Sequence, residues 1–570
     1  MPQTSNLNLK ATAANTYDAI VIGSGISGGW AAKELTEKGA KTLLLERGRN
    51  VEHITDYPTA QLNVWDLAHR DQLSQETLEA NPIVGRCYAY SEATRHFFVE
   101  DQVHPYGQDR PFDWIRGYQV GGKSLLWARH VQRWGTVDFE ANLKDGYGVD
   151  WPIRYEDLAP WYSHVERFAG ISGNRDGLPQ IPDGEFQKPR ELNVVEKHIK
   201  QAVENSFPGR NVISARTANL TEPLNGRMCV NRNLCNRGCP LGGYFSTNST
   251  TLPAAMATGN LTLRPDSVVS SIIYDETSGK ARGVRVIDAQ TLEETEYYSK
   301  VIFLNASTIN SVLILLNSTS NRFPTGLGND SGVLGKYMLF HNYRAGASGR
   351  MPQFNDHYVY GKRPAEGYIP RFRNFGSDQQ KAFLRGYAFS LGAYREMEGQ
   401  FGENDQPFGA AFKENIMKLG DWKVYMGGMG EVLPNEQNRV YLHPDKKDRW
   451  GIPQIVMDIG YQANDDAMAK DIQTTAAEML EAAGAKDISM KDDYRNPGID
   501  IHEMGGARMG RDPKTSMLNG FNQLHGVKNV FVTDGASMAS TACQNPSLTY
   551  MAITARAAHF AADEIKKGNL

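Results

Sequence analysis

An α/β fold is predicted, with one sheet woven from separated segments of the chain and a second, α+β domain on an antiparallel sheet inserted between them. Three observations predict it. A strand, a glycine-rich turn, a helix and a second strand ending in an acid follow one another from Tyr17 to Glu46. Buried strands and glycine turns able to join the same layer recur near 121, 301 and 530. Between them, Tyr343 to Gly430 is rich in Tyr, Phe, Arg and Gly and reads as sheet.

Asp18 to Ile22 is apolar and β-branched, a short buried strand, and Ile26 to Lys38 reads as a helix ended by Gly39. Gly23 allows the tight turn between them, Gly25 lets the backbone approach a pyrophosphate, and Gly28 lets helix and strand pack closely. Phosphates then meet the free N–H groups of the helix start. Lys41 to Leu45 is the next strand and delivers Glu46, 21 residues beyond Gly25, where a carboxylate reaches a ribose hydroxyl. The unit binds a dinucleotide, and by itself leaves NAD and FAD as alternatives.

Asp56 to Arg95 is polar and irregular and suits a long surface excursion. Gly117 to Trp127 holds a second glycine turn with Gly121, Gly122 and Ser124. Asn142 to Pro223, helical around Val194 to Phe207, belongs to another domain. Leu261–Arg264, Val268–Tyr274, Ala281–Asp288 and Glu296–Tyr298 alternate and read as a small antiparallel sheet. Val301 to Asn305 is a buried strand followed by a helix through Leu316, and Asp465 to Ala483 is an amphipathic helix. Leu524 to Asp534 is the last buried strand and Pro546 to Lys567 the last long helix. Residues 16–135, 228–340 and 498–565 are assigned to a discontinuous cofactor domain, 136–227 and 341–497 to a substrate domain, and 1–15 to a flexible leader.

With 570 residues, 40% hydrophobic and 22% charged, the composition is that of an ordinary globular protein of several domains. A net charge of −4 offers no basic field for nucleic acid, and no apolar run reaches the roughly 20 residues of a transmembrane helix. The N-terminus lacks the apolar core of a signal peptide. Five cysteines are too few for a disulfide framework: Cys87 and Cys543 stand alone, while Cys229, Cys235 and Cys239 fall within eleven residues.

The chemistry concentrates near the C-terminus. Pro546 suits the first position of a helix with Asn545 as its cap, and that helix start carries about half a positive charge. Such an end favours a flavin, which gains negative charge at N1 and the C2 oxygen on taking up hydride. His502 is the candidate general base for an alcohol hydroxyl, and Asn545 could hold the same oxygen. His341 is a further candidate to face a substrate cavity, and Cys543, two residues before Asn545, is expected to pack beside the flavin rather than act as a nucleophile.

From Tyr17 to about Ala562 the chain resembles the glucose–methanol–choline (GMC) flavoprotein oxidoreductases, through the first fingerprint, Gly121-Gly122-x-Ser124, Val301 to Leu316, His502-x-x-Gly505-Gly506, Asp534-Gly535-Ala536 and Asn545-Pro546. The resemblance implies a Rossmann-type FAD-binding domain, FAD as cofactor and His502 with Asn545 as the catalytic pair. It sets Gly121, Gly122 and Ser124 along the diphosphate and ring, Asp534 and Gly535 at the ribityl-pyrophosphate and Val268 at the adenine, while the helix start at Pro546 is set at the flavin by its partial positive charge. Some sugar-oxidising members bond flavin through a histidine where Leu126 stands here, so FAD is expected to be non-covalent.

Three thiolates in Cys229-x5-Cys235-x3-Cys239 suit a three-iron cluster, with packed reduced thiols as the alternative, and Arg227, Arg232 and Arg237 would offset its charge. A GMC subgroup including fructose dehydrogenase, FAD glucose dehydrogenase and glucoside 3-dehydrogenase has a similar loop bearing an iron–sulfur cluster. The reading is therefore the catalytic subunit of a sugar or glycoside dehydrogenase with FAD and a [3Fe-4S] cluster. It would work with a small companion subunit and a c-type cytochrome, and be periplasmic by co-export. The alternatives are an oxidase using O2, a non-redox lyase or scaffold, and an NAD-dependent dehydrogenase.

Overall fold

A computed structural model describes residues 15–358, 366–396, 408–493 and 495–570. The expected leader thus falls almost wholly outside the described residues, as do 359–365 and 397–407 of the expected sheet from Tyr343 to Gly430.

The first sheet is ordered around one long strand, Glu294–Leu304. Thr16–Ile22 lies parallel to it, with Thr16 opposite Tyr298 and Ile22 opposite Leu304. Thr42–Leu45 follows in parallel register, then Leu261–Arg264, while Val530–Val532 joins the far side of the long strand. The first half of Glu294–Leu304 instead pairs antiparallel with Lys280–Asp288, which pairs with Ser267–Asp275. This corrects two expectations. Leu261–Arg264 is a parallel strand of the nucleotide-binding layer, and Glu296–Tyr298 and Val301–Asn305 are one continuous strand, so the meander extends the main sheet. Alternation reports which face is buried and is silent about the partner, and these partners lie far away in sequence.

Glycines set the spacing of this layer. A Cβ on Gly28 would come within 1.7 Å of the Gly23 carbonyl oxygen, so the helix Ile26–Glu37 can lie against its strand only with glycine there. Gly23 has φ +94° and abuts the Asn305 carbonyl. On the same face, Ala31, Ala32 and Leu35 meet Ala557, Ala558 and Ala561 of the helix Ser547–Lys567, small side chains that let the two helices approach closely.

The second sheet is antiparallel, in the order Lys486–Asp492, Ala345–Arg350, Trp422–Glu431, Tyr387–Arg395, Gly367–Ile369, Ile213–Ser214. Phe389 and Leu391 point to the helices Val194–Ser206 and Ala463–Ala482, packing with Val195, Ile199, Met468, Ile472 and Met479. Ser390, Gly392 and Tyr394, one residue out of phase, line a cavity on the opposite face. The excursion after Glu46 differs from its surface reading: Val51, Tyr57, Val84, Cys87, Tyr90 and Phe97 form a small core with Ile115, Leu125, Leu126 and Ile499. Its polar composition hid the spaced apolar anchors.

Replacing Gly28 by alanine is expected to lower stability by about 2 kcal/mol or more, because main chain rather than a mobile side chain must move. Urea unfolding of the two proteins, together with their bound flavin content, checks this.

Candidate active site and cofactor cavity

A cavity of ≈ 1140 Å³ runs between the two sheets. At one end its wall is Gly23, Gly25, Glu46 and Val268, and at the other His502 and Asn545. Antiparallel bonding between Leu339 and Met504 (2.8 and 2.9 Å) draws His341 beside His502. The strand His341–Asn342 is held in turn against Glu431 and Gly430 of the second sheet. Ile501, a β-branched residue at φ +62°, turns the chain immediately before His502.

Hydrogen bonds then decide which nitrogen of each ring carries a proton. His341 Nε2 faces the carbonyl oxygens of Thr541 (3.2 Å) and Ala542 (3.1 Å), which only accept, so it bears hydrogen. Burial pushes the His341 pKa down to about 4, and the ring is neutral with a bare Nδ1. That atom is 2.9 Å from His502 Nδ1, which must therefore donate. Burial, then the cost of a second positive ring beside His341, and the Lys123 ammonium hold His502 well below its ordinary range as well. A neutral His502 protonated at Nδ1 presents a bare Nε2 to the cavity, 3.4 Å from Asn545 Nδ2. A group able to remove a hydroxyl proton and a group able to donate to the same oxygen stand side by side. Asp500 takes the His341 main-chain N–H at 2.8 Å, and its Oδ2 is 3.9 Å from both Nδ1 atoms; burial pushes its pKa up to about 7.

Profiles described as GMC oxidoreductase match residues 17–341 and 434–554. The chain belongs to the GMC oxidoreductase family. It is similar to the 2-methyl-1,2-propanediol dehydrogenase of Mycolicibacterium austroafricanum, 29% identical over 96% of each chain. The fructose dehydrogenase large subunit of Gluconobacter japonicus is 25% identical, with 97% of this chain and 98% of that protein covered. Pyridoxine 4-oxidase from Mesorbium loti shares the fold at a TM-score of 0.57 and 17% identity, over 95% of this chain and 98% of that one. As a GMC oxidoreductase the protein is an enzyme acting on CH–OH groups, and the family implies FAD.

The cavity fits that cofactor. A Cβ on Gly25 would meet only open space, so the glycine keeps the wall clear beside the free helix start. Arg47 Nε, Arg116 Nε and Nη2, and Glu503 Oε1 are buried without a partner, and all three residues line the cavity. Unpaired guanidinium N–H groups call for an anion such as a diphosphate, and the spare carboxylate oxygen for a donor. Lys123 Nζ meets Glu503 Oε2 at 2.7 Å in the same wall.

Most expected cofactor residues line this cavity, several with tasks of their own. Glu46 accepts from Ser24 N–H (3.1 Å), Ser24 Oγ (2.6 Å) and Gly48 N–H (3.0 Å), so it braces the fingerprint turn as well as facing the cavity. Gly122 and Ser124 are in the wall, and Ser124 Oγ donates to Gly121 O at 2.6 Å. Gly121, at φ +98°, lies against Asn248 behind them, where a Cβ would be 1.8 Å from Oδ1. Asp534 accepts from Ser311 and the Ala536 N–H, and burial pushes its pKa up to about 6. Gly535 is also in the wall.

Three expectations are corrected. Pro546 does not line the cavity: the helix is Ser547–Lys567, Pro546 is itself the cap residue, and the Asn545 side chain turns to His502 instead of capping. Cys543 is buried with Ile181, Tyr368 and Ala388, away from the cavity wall. His341 lies behind His502, out of the cavity. The signal for Asp500 was the alternation Asp500-Ile501-His502; that for Arg116 was a lone arginine before the second glycine turn, indistinguishable in sequence from a surface charge.

The three loop cysteines are free thiols around a single small cleft. Cys229 Sγ accepts from Asn231 N–H (3.5 Å) and Cys239 Sγ from Gly243 N–H (3.3 Å), while Asn219 Nδ2 is 3.9 Å from Cys235 Sγ. Donors aimed at sulfur suit thiolate ligands of a cluster. The expected arginines have a different task. Arg227 binds the Phe168 and Ala169 carbonyls, Arg232 that of Ala60, and Arg237 that of Leu62, so they fasten the loop down. Burial pushes the Cys235 thiol up, and the cation that works against this is Arg129. Arg129 donates to Trp127 O (2.7 Å) and Asn236 Oδ1 (3.0 Å), and Asn233 and Asn236 of the cysteine loop belong to the main cavity wall.

His341 is neutral in the fold but protonates near pH 6.5 when unfolded. As pH falls from there towards about 4, the unfolded chain binds more protons and stability falls, by about 1.4 kcal/mol per pH unit at most. Asp500, raised to about 7, acts in the opposite sense over an overlapping window. The difference in Tm between the wild type and His341→Asn, followed downward from neutral pH, is therefore expected to shift steadily against the wild type.

Proposed function

We propose that this GMC oxidoreductase is the catalytic subunit of a sugar or glycoside dehydrogenase. It would oxidise a secondary ring hydroxyl, such as that at C3, to a ketone. The observation that carries the redox part is the bare Nε2 of His502 beside Asn545 Nδ2 at the cavity wall. His502 removes the hydroxyl proton at Nε2, while Asn545 donates to the oxygen and holds the carbon in place. The resulting imidazolium is stabilised by the Asp500 carboxylate 3.9 Å from Nδ1. FAD, when bound, supplies the hydride acceptor, and a [3Fe-4S] cluster on Cys229, Cys235 and Cys239 would supply a one-electron exit. That exit is supported by the cysteine loop sharing a wall with the main cavity, and it favours a protein acceptor such as a c-type cytochrome over O2. Sugar as substrate is supported by fructose dehydrogenase among the relatives and by Tyr343, Tyr394 and Tyr425 in the cavity wall. The same relative is named a large subunit, which supports a small companion here; export with that companion to the periplasm completes the proposal.

An anaerobic titration with a panel of glycosides, with iron and sulfide measured on the same sample, tests this. Flavin bleaching by a glycoside and about three iron atoms per chain are expected. Sustained peroxide formation at full turnover would identify an oxidase, and an iron-free protein with full activity towards one-electron acceptors would remove the cluster. His502→Ala is expected to slow bleaching by roughly 10² to 10⁴-fold. Activity should also be lost on the acid side as His502 takes up a proton, with a midpoint below about 6.5. Lys123→Met should move that midpoint upward, since it removes a positive charge acting on His502.

A further inference from the structure

Away from the cavity, three side chains from three helices converge. Glu34 lies on Ile26–Glu37, His164 on Tyr155–Ala169 and His559 on Ser547–Lys567. His164 Nε2 is 2.7 Å from Glu34 Oε1 and His559 Nε2 is 2.5 Å from Glu34 Oε2, so each ring addresses its own oxygen of one carboxylate. All of the donor atoms lie within 4.8 Å of one another. The Glu34 side chain is 2% exposed, whereas those of His164 and His559 are 34% and 26% exposed, which leaves one side of the group open to solvent. Trp161 packs edge-on to both imidazoles, with centroids 6.0 and 4.8 Å away, and fixes their planes.

We propose that Glu34, His164 and His559 form a binding site for a divalent late-transition ion of the Zn²⁺ class, with water completing the coordination. Two imidazole nitrogens and one carboxylate suit such an ion and do not suit Mg²⁺ or Ca²⁺, which prefer oxygen donors throughout. Three protein ligands with an open, wet side make an accessible site. Lys33 is the one cation in the group. Its Nζ is shared between Glu34 (3.0 Å) and Glu37 (2.8 Å), so with neutral imidazoles the cluster carries one net negative charge for the ion to meet. On binding, each ring gives the Nε2 lone pair to the metal, and the Nε2 proton passes to Nδ1 or, where Nδ1 already carries one, to water; no other bond changes. The ion would tie together the helix that follows Gly25, the helix that follows Asn545 and the helix Tyr155–Ala169, so it stabilises the fold that frames the cofactor cavity.

Calorimetric titration of the chelator-treated holoenzyme with Zn²⁺, alongside its Tm, is the test. One equivalent is expected to bind, with Tm rising as Zn²⁺ is added. Both effects should be lost in His164→Ala and in His559→Gln, and kept in Cys235→Ser. His164 is partly exposed, so its variant keeps the fold even where His559→Gln does not. Absence of binding by the wild type overturns the proposal. So does binding that survives both histidine substitutions or disappears with Cys235→Ser, which would assign the ion to the cysteine loop.

Discussion

The carbonyl oxygens of Thr541 and Ala542 accept from His341 Nε2, and from this contact the polarity of the whole site follows. An imidazole with its proton committed at one nitrogen has only a lone pair at the other, so His502 must donate through Nδ1 and keep Nε2 bare. Burial reinforces the arrangement, since a charged ring here would lose its hydration. The bare nitrogen of His502 is thus set by main-chain atoms two contacts away from the cavity, through a His341 that never touches the cavity itself.

Rigid elements hold that chain of contacts. The Leu339–Met504 ladder joins the end of the second sheet to the loop carrying His502, and the same His341 strand pairs with Glu431 and Gly430. Thr541 and Ala542 lie just ahead of the helix that packs, alanine to alanine, on the fingerprint helix. The close approach made possible by those alanines therefore reaches the candidate site: were the two helices further apart, the carbonyls facing His341 would move with them.

Local patterns made much of this legible. The Gly23, Gly25 and Gly28 spacing with Glu46 marked the nucleotide unit, because a tight turn and close helix packing each demand glycine at one position, and the structure shows the contact behind each demand. His502 and Asn545 were marked by residue type and order. Strand partners were not legible, as Leu261–Arg264 shows, since alternation carries no address. Nor was the work of Arg227, Arg232 and Arg237, because a basic residue beside a cysteine looks the same in sequence whether it faces sulfur or a distant carbonyl.

By itself, the sequence determined the family and the nucleotide-binding turn, and it singled out His502 and Asn545 as candidates, all written in short spacings that local sterics and chemistry enforce. Only the tertiary structure decided that His341 stands behind His502 rather than in the cavity, that Asp500 faces both rings, and that Glu34 gathers two histidines from other helices. Those arrangements depend on residues hundreds of positions apart being brought within hydrogen-bonding distance, and no local pattern encodes which distant group will arrive.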